Sequence, residues 1–183
     1  DRPTYRSSAT VEFQDYEDAL NALRQISQSG LFPSNCRVLD SNEALLNGAG
    51  NGTKHLLILS FESADHDKSM ALGRALEISK DNNGLFEPQS KNKENAHRSG
   101  SSGSWRSSFI KAPYLRESFT RRGIIQDTFE TSITWDRGFE FIEDIKAETT
   151  KAIALITGKP SLVTCRITHS YPDGLAPYFT FGA

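Results

Sequence analysis

Apolar and polar residues follow two different periods along this chain, and the order in which the periods alternate predicts the fold. Thr10-Val11-Glu12-Phe13 alternates with period two, the mark of a half-buried strand, and Asp15 stands where a helix needs its N-cap. Tyr16, Ala19, Leu20, Leu23 and Ile26 then recur at helical spacing until Gly30. Cys36-Arg37-Val38-Leu39 predicts a short strand, and Glu43-Ala44-Leu45-Leu46 a short helix. After the flexible turn Gly48 to Gly52 comes His55-Leu56-Leu57-Ile58-Leu59-Ser60-Phe61, apolar enough to lie centrally in a sheet. A further helix follows, capped by Asp65 or Asp67, with Leu72, Ala75 and Leu76 inward. The order strand, helix, strand, strand, helix is that of a ferredoxin-like split βαβ unit.

The pattern then breaks. Glu87 to Ser104 contains no aliphatic residue larger than Ala96 and is rich in Ser, Asn, Lys and Gly. Such a stretch buries too little to offset its ordering entropy, so a flexible surface loop is expected over 87–104. Helical patterning resumes near Trp105, with a kink or restart at Pro113. Ile125, Phe129, Ile133 and Trp135 share one face of what reads as a single long strand, with Glu130, Ser132 and Thr134 on the other. A long helix is expected from Asp136 to Gly158, with Phe139, Ile142, Ile145, Ala152 and Ile156 at core spacing. Val163, Cys165 and Ile167 alternate with Thr164, Arg166 and Thr168 in another strand, and Pro172-Asp173-Gly174 turns into the last one. The fold class is α+β: split βαβ units forming an antiparallel sheet with helices on one face.

The 183 residues are enough for one domain, and the net charge of −2 gives no pull toward nucleic acid. No apolar run approaches the ~18 residues that span a bilayer. The chain opens Asp1-Arg2-Pro3-Thr4 without an apolar leader and closes just after the strand-like Tyr178-Phe179-Thr180-Phe181. Both ends are therefore expected to be internal to a longer polypeptide, with residues 1–183 forming one truncated domain. Cys36 and Cys165 each sit in a strand-like stretch and are expected to be free thiols, which makes the cytoplasm the expected compartment.

Familiar catalytic signatures are missing. The glycines at 48–52 lack the spacing of a phosphate loop, and His55, His66, His97 and His169 form no ligand cluster, so no metal is expected. Polar residues embedded in apolar strands carry more information. Glu130 and Arg166 occupy the polar faces of two strands, Arg137 follows Trp135-Asp136 at a strand-to-helix junction, and Tyr171 and Tyr178 flank the last turn. Alternation points Tyr178 away from Phe179 and Phe181, toward a pocket. Each has an ordinary structural reading as well: arginine–carboxylate pairs tying elements together, and tyrosines at a core edge.

Three segments carry a resemblance. Phe129-Glu130-Thr131-Ser132-Ile133-Thr134-Trp135-Asp136-Arg137 resembles the FETS…WDR segment of the alkyldihydroxyacetonephosphate synthases, and Tyr114-Leu115-Arg116 precedes it at the family's spacing. Thr164-Cys165-Arg166-Ile167-Thr168, followed by Tyr171, Gly174 and Tyr178-Phe179, resembles the family's final motif. The first half is similar more loosely, through Asn35-Cys36-Arg37-Val38-Leu39-Asp40. The resemblance implies the substrate-binding cap domain of an FAD-linked flavoprotein of the vanillyl-alcohol-oxidase type, whose FAD is held mainly by a separate N-terminal domain. It implies an ether-lipid reaction, exchange of an acyl group for a fatty alcohol without net redox change, or a related FAD-linked oxidation. By motif position Tyr178 is the expected catalytic tyrosine and Arg116 an arginine of substrate handling; Arg166 and Tyr171 are further candidate substrate-binding positions, with structural pairing the first expectation for the motif arginines Arg137 and Arg166. A guanidinium suits that work because it stays charged and grips carboxylate or phosphate bidentately.

The implied partners are a lipid-like or other small-molecule substrate and the chain's own FAD domain. Peripheral contact with a membrane and a homodimer are compatible with that chemistry. The family's histidine-rich segment and FAD domain have no counterpart in these residues, so the fragment alone is expected to be inactive. Pro177, just before the tyrosine, also departs from the pattern. The competing reading is a non-catalytic ligand-binding or regulatory module on a ferredoxin-like scaffold.

Overall fold

The computed structural model describes residues 2–87 and 116–183. Most of the expected surface loop at 87–104, with Trp105 and Pro113, lies outside the described residues.

The chain folds as β1 (Tyr5–Phe13), α1 (Tyr16–Gln28), β2 (Asn35–Leu39), α2 (Ser41–Leu46), β3 (His55–Ser63) and α3 (Ser69–Asp81). After a helical stretch at 116–120 come β4 (Gln126–Glu130), β5 (Ile133–Thr134), a 3-10 turn (Trp135–Arg137), α4 (Gly138–Thr157), β6 (Leu162–Ser170) and β7 (Gly174–Gly182). Seven strands form one antiparallel sheet in the order β1-β3-β2-β6-β7-β4, with β5 also on β7. Two split βαβ units lie side by side in that order. In the first, β1 and β2 are joined through α1 and flank β3; in the second, β4 and β6 are joined through α4 and flank β7. The seam between them is short, with Val38 opposite Ile167 and Leu39 opposite Arg166.

Alternation decides what each face of the sheet carries. Val11, Phe13, Val38, Leu57, Leu59, Phe61, Cys165, Ile167 and Phe179 form one core with Leu20, Leu23 and Ile26 of α1, Leu72 and Ile78 of α3 and Ile142 of α4. Each fully buried Leu or Ile here contributes about 1.5–3 kcal/mol of transfer free energy. The three long helices thus cover one face, as the pattern predicts. Among the described residues, α2 lies on the other face, where Ala44 and the turn residue Ala49 pack on Leu39, Leu56 and Ile58.

Two expectations change. The long strand over Ile125–Trp135 is divided into β4 and β5, although both keep one continuous register against β7, Glu130 opposite Tyr178 and Ile133 opposite Leu175. The gap falls opposite Pro177, which accepts from the Thr131 N–H at 3.2 Å and has no N–H to return. Trp135 then leaves the strand for the 3-10 turn, its indole Nε1 donating to the Tyr171 carbonyl at 2.8 Å. In α4, Ile142 is buried and Ile145 packs at the edge of the core, but Phe139, Ala152 and Ile156 are exposed, Ile156 by 85 %. The helix touches β6 and β7 through its first half, and its second half is uncovered by the described residues. Gly138 permits the approach: a Cβ there would come within 2.9 Å of Leu175.

At the end of β2, Asp40 caps α2 by accepting from the Glu43 N–H at 2.7 Å, accepts from the Cys165 N–H at 2.7 Å, and pairs with Lys146 of α4 at 3.2 Å. His55, half-buried nearby, accepts from the Ser41 N–H through Nδ1 at 3.2 Å. Burial, with Lys146, lowers its pKa; Asp40, Asp15 and Glu143 oppose the shift without reversing it. A folded imidazole that takes up its proton at lower pH than the unfolded one adds stability above about pH 6.5, lost as pH falls through the folded value. The thermal midpoint should therefore drop between pH 7.5 and 5 by more in the wild type than in His55→Gln, whose amide oxygen can still accept from Ser41. Equal drops in thermal melts of the two proteins would remove His55 from the acid response.

Candidate functional site

The face opposite the three long helices is where the polar strand residues meet. Arg166 on β6 and Tyr178 on β7 are directly cross-strand partners, and the guanidinium lies 4.0 Å from the centroid of the Tyr178 ring. This is within cation–π distance. The Tyr178 hydroxyl donates to Thr128 Oγ1 of β4 at 2.8 Å. Glu130, also on β4, stands opposite Tyr178 in register and is exposed. Phe179 points the other way and stacks on Phe129, ring centroids 4.9 Å apart, so the strand is anchored by one face while the phenol is offered on the other.

Arg166 is held from its other side. Its Nη1 donates to Glu43 Oε1 at 2.6 Å, and that carboxylate is buried beneath α2. Glu43 also accepts from Asn47 Nδ2 at 3.1 Å and, in a short hydrogen bond, from Thr164 Oγ1. Arg37, two residues before Leu39 on β2, shares this face; burial lowers its pKa, and the neighbouring Arg166 charge adds to the effect. Two arginines, one buried carboxylate, a phenol and a threonine hydroxyl thus converge beside the seam. The arrangement can donate or accept a proton at the phenol and can meet an anionic group through the arginines.

Other expected residues lie elsewhere. Arg116 pairs with Asp127 at 3.2 Å, and Asp127 alternates with Thr128, so this pair belongs to the opposite side of β4 from the phenol. Tyr171 is exposed at the β6–β7 turn, its N–H donating to the Gly174 carbonyl at 2.8 Å. Arg137 is exposed; the Asp136 carboxyl is held below its ordinary range mainly by the hydrogen bond from Thr134, with the charges of Arg137 and Arg24 adding to it. Arg24, Asp136 and Arg137, but neither Arg116 nor Tyr171, border a cleft of about 270 Å³ between α1 and the start of α4, on the helix-covered side. Glu43 and Arg37 were not singled out by the sequence reading. The signals were there: Asp40-Ser41-Asn42-Glu43 has capping-box spacing, and Arg37 alternates into the face of Leu39.

Residues 2–183 match the family model described as FAD linked oxidases, C-terminal domain. The chain belongs to this family. The domain is similar to the alkyldihydroxyacetonephosphate synthase of Caenorhabditis elegans, 24 % identical over 201 residues, covering 98 % of this chain and 33 % of that protein. It also superposes on two crystal forms of an alkyldihydroxyacetonephosphate synthase. One is 19 % identical with a TM-score of 0.76, covering 99 % of this chain and 37 % of that one; the other is 20 % identical with 0.78, covering 98 % and 35 %. A 4-ethylphenol oxidase from Gulosibacter chungangensis, in its isoeugenol complex, is 9 % identical with a TM-score of 0.56, covering 98 % and 40 %. Identities this low establish the fold, an antiparallel α+β domain of the FAD-linked oxidase type. The domain spans about a third of the length of the synthase relatives.

The family name implies FAD, and the described residues fit its ring better than its tail. Among the described residues, the polar face of the sheet offers a phenol, guanidinium groups and hydroxyls that could lie against a flat heterocycle. No phosphate cradle accompanies it among these residues: in the turn at 48–52, Gly50 and Gly52 face Ala44 and Leu45 of α2 and open no helix. Among the described residues no group of three His, Cys, Asp or Glu could hold a metal ion, and no helix is long and apolar enough to cross a membrane.

Proposed function

We propose that this domain is the substrate-binding cap of a longer FAD-dependent enzyme of the alkyldihydroxyacetonephosphate synthase type. Its polar sheet face would cover the flavin ring, and its substrate would be a lipid-like molecule with an anionic head. The observation that carries the reading is the placement of Tyr178: a phenol oriented by Arg166 and Thr128 on the uncovered face, within the segment that resembles the synthases. Arg37 lies on the same face and supplies positive charge for the anionic end of the substrate. Tyr178, hydrogen-bonded to Thr128, moves a proton at the substrate oxygen as the acyl group leaves or the alcohol enters. When bound, FAD would supply an electrophilic, redox-capable ring beside this face. The remaining polypeptide holds most of the FAD, and the 183 residues alone do not turn over.

The test is the visible absorption spectrum of the full-length gene product beside that of this chain alone, each after addition of FAD and removal of the excess. Flavin bands are expected only in the longer protein. A folded longer protein that stays colourless would overturn the flavoenzyme reading and favour a regulatory ferredoxin-like module.

A further inference from the structure

We propose that Glu43 is a positioning residue for Tyr178, acting through Arg166; this rests on the reading of Tyr178 as the acid–base group. Both carboxylate oxygens of Glu43 are engaged, one by Arg166 and Asn47, the other by Thr164. The turn that carries it is fixed in its own right, because Asp40 holds both the Glu43 N–H and the Cys165 N–H. A buried carboxylate gripped in this way has one geometry available, and charge-assisted bonding transmits that geometry to the guanidinium. The guanidinium in turn lies over the Tyr178 ring, 4.0 Å from its centroid. With the ring held on one side, the hydroxyl reaches Thr128 Oγ1 on the other. Arg166 Nε is buried with no partner, so that edge of the group is out of reach of a ligand. With Nη1 on Glu43 and Nε buried, the larger part of the Arg166 group is committed to supporting the phenol.

The experiment uses the full-length flavoprotein and compares Glu43→Gln, Arg166→Lys and Tyr178→Phe. Glu43→Gln keeps the shape of the side chain and removes its charge. Arg166→Lys keeps the ion pair and removes the flat surface on which the ring rests, so it covers the case in which Glu43→Gln folds poorly. Either change is expected to lower kcat about 10- to 100-fold, with KM within about twofold of wild type. A second readout is the ¹⁹F NMR signal of Tyr178 in protein labelled with 3-fluorotyrosine, identified by its loss in Tyr178→Phe. That signal is expected to move and broaden in both variants, independently of turnover. An unmoved signal and a wild-type kcat, with Tyr178→Phe inactive, would overturn the positioning role while leaving the tyrosine assignment intact. If Tyr178→Phe is itself fully active, the tyrosine assignment falls, and the ¹⁹F signal alone still decides whether Glu43 places the ring.

Discussion

Replacing Tyr178 with phenylalanine in the full-length flavoprotein should lower turnover by about 100-fold or more, with bound flavin unchanged. The ring stays, and with it the stacking of Arg166 on one face of the sheet and the anchoring by Phe179 on the other. What disappears is one oxygen, the only atom of that side chain able to exchange a proton and the donor to Thr128. A loss confined to kcat, measured at saturating substrate beside the flavin absorbance of the same preparation, marks an interaction made in the transition state. Turnover within about twofold of wild type would take Tyr178 out of the chemistry, since general acid–base groups contribute on a larger scale than that.

The second large effect concerns stability. Asp40→Ala should destabilise the protein by about 3–5 kcal/mol, because it leaves Lys146 partly buried without its partner and strips the Cys165 N–H of its acceptor. Burial lowers the pKa of Lys146, but Asp40 and Glu143 together outweigh burial and leave it raised; removing the aspartate takes away the larger of these two supports and leaves the amine to the cost of its burial. Loss of the α2 cap adds to the cost. The thermal midpoint should fall by about 10 °C, given a domain of this size. Asp40→Asn, which keeps an acceptor and loses the charge, should fall between the two. A midpoint for Asp40→Ala within about 2 °C of wild type would show that the junction of β2, α2 and α4 tolerates an empty corner.

What the sequence made legible was whatever one segment decides by itself. The helical spacing of Tyr16, Leu20, Leu23 and Ile26 requires no knowledge of the partner, and those residues are buried as expected. The division between β4 and β5 could not be read there, because its cause lies across the sheet: Pro177 faces the gap with no N–H to offer. Ile156 fails as a core residue for a similar reason, since periodicity gives a helix an apolar stripe and says nothing about where the neighbouring sheet stops. Tyr178 and Arg166 were recognisable on polar faces of strands, and register alone makes them partners. Glu43 escaped notice because a glutamate in a short helix ordinarily faces water; burial of its carboxylate depends on β6, more than a hundred residues away in sequence.

The short seam between the two βαβ units includes Arg166, the cross-strand partner of Tyr178. Arg37 and Glu43 reach it from the first unit, while Arg166, Tyr178 and Thr128 reach it from the second. Few backbone ladder bonds cross there, so the joint is secured largely by side chains clamped over it. Any slip of one unit past the other must therefore pass through the Glu43–Arg166 contact before it reaches the rest of the sheet. If Glu43 positions Tyr178 as proposed, the clamp that fastens the halves also sets the angle of the phenol, and the geometry of that ring becomes a gauge of how well the two units are aligned.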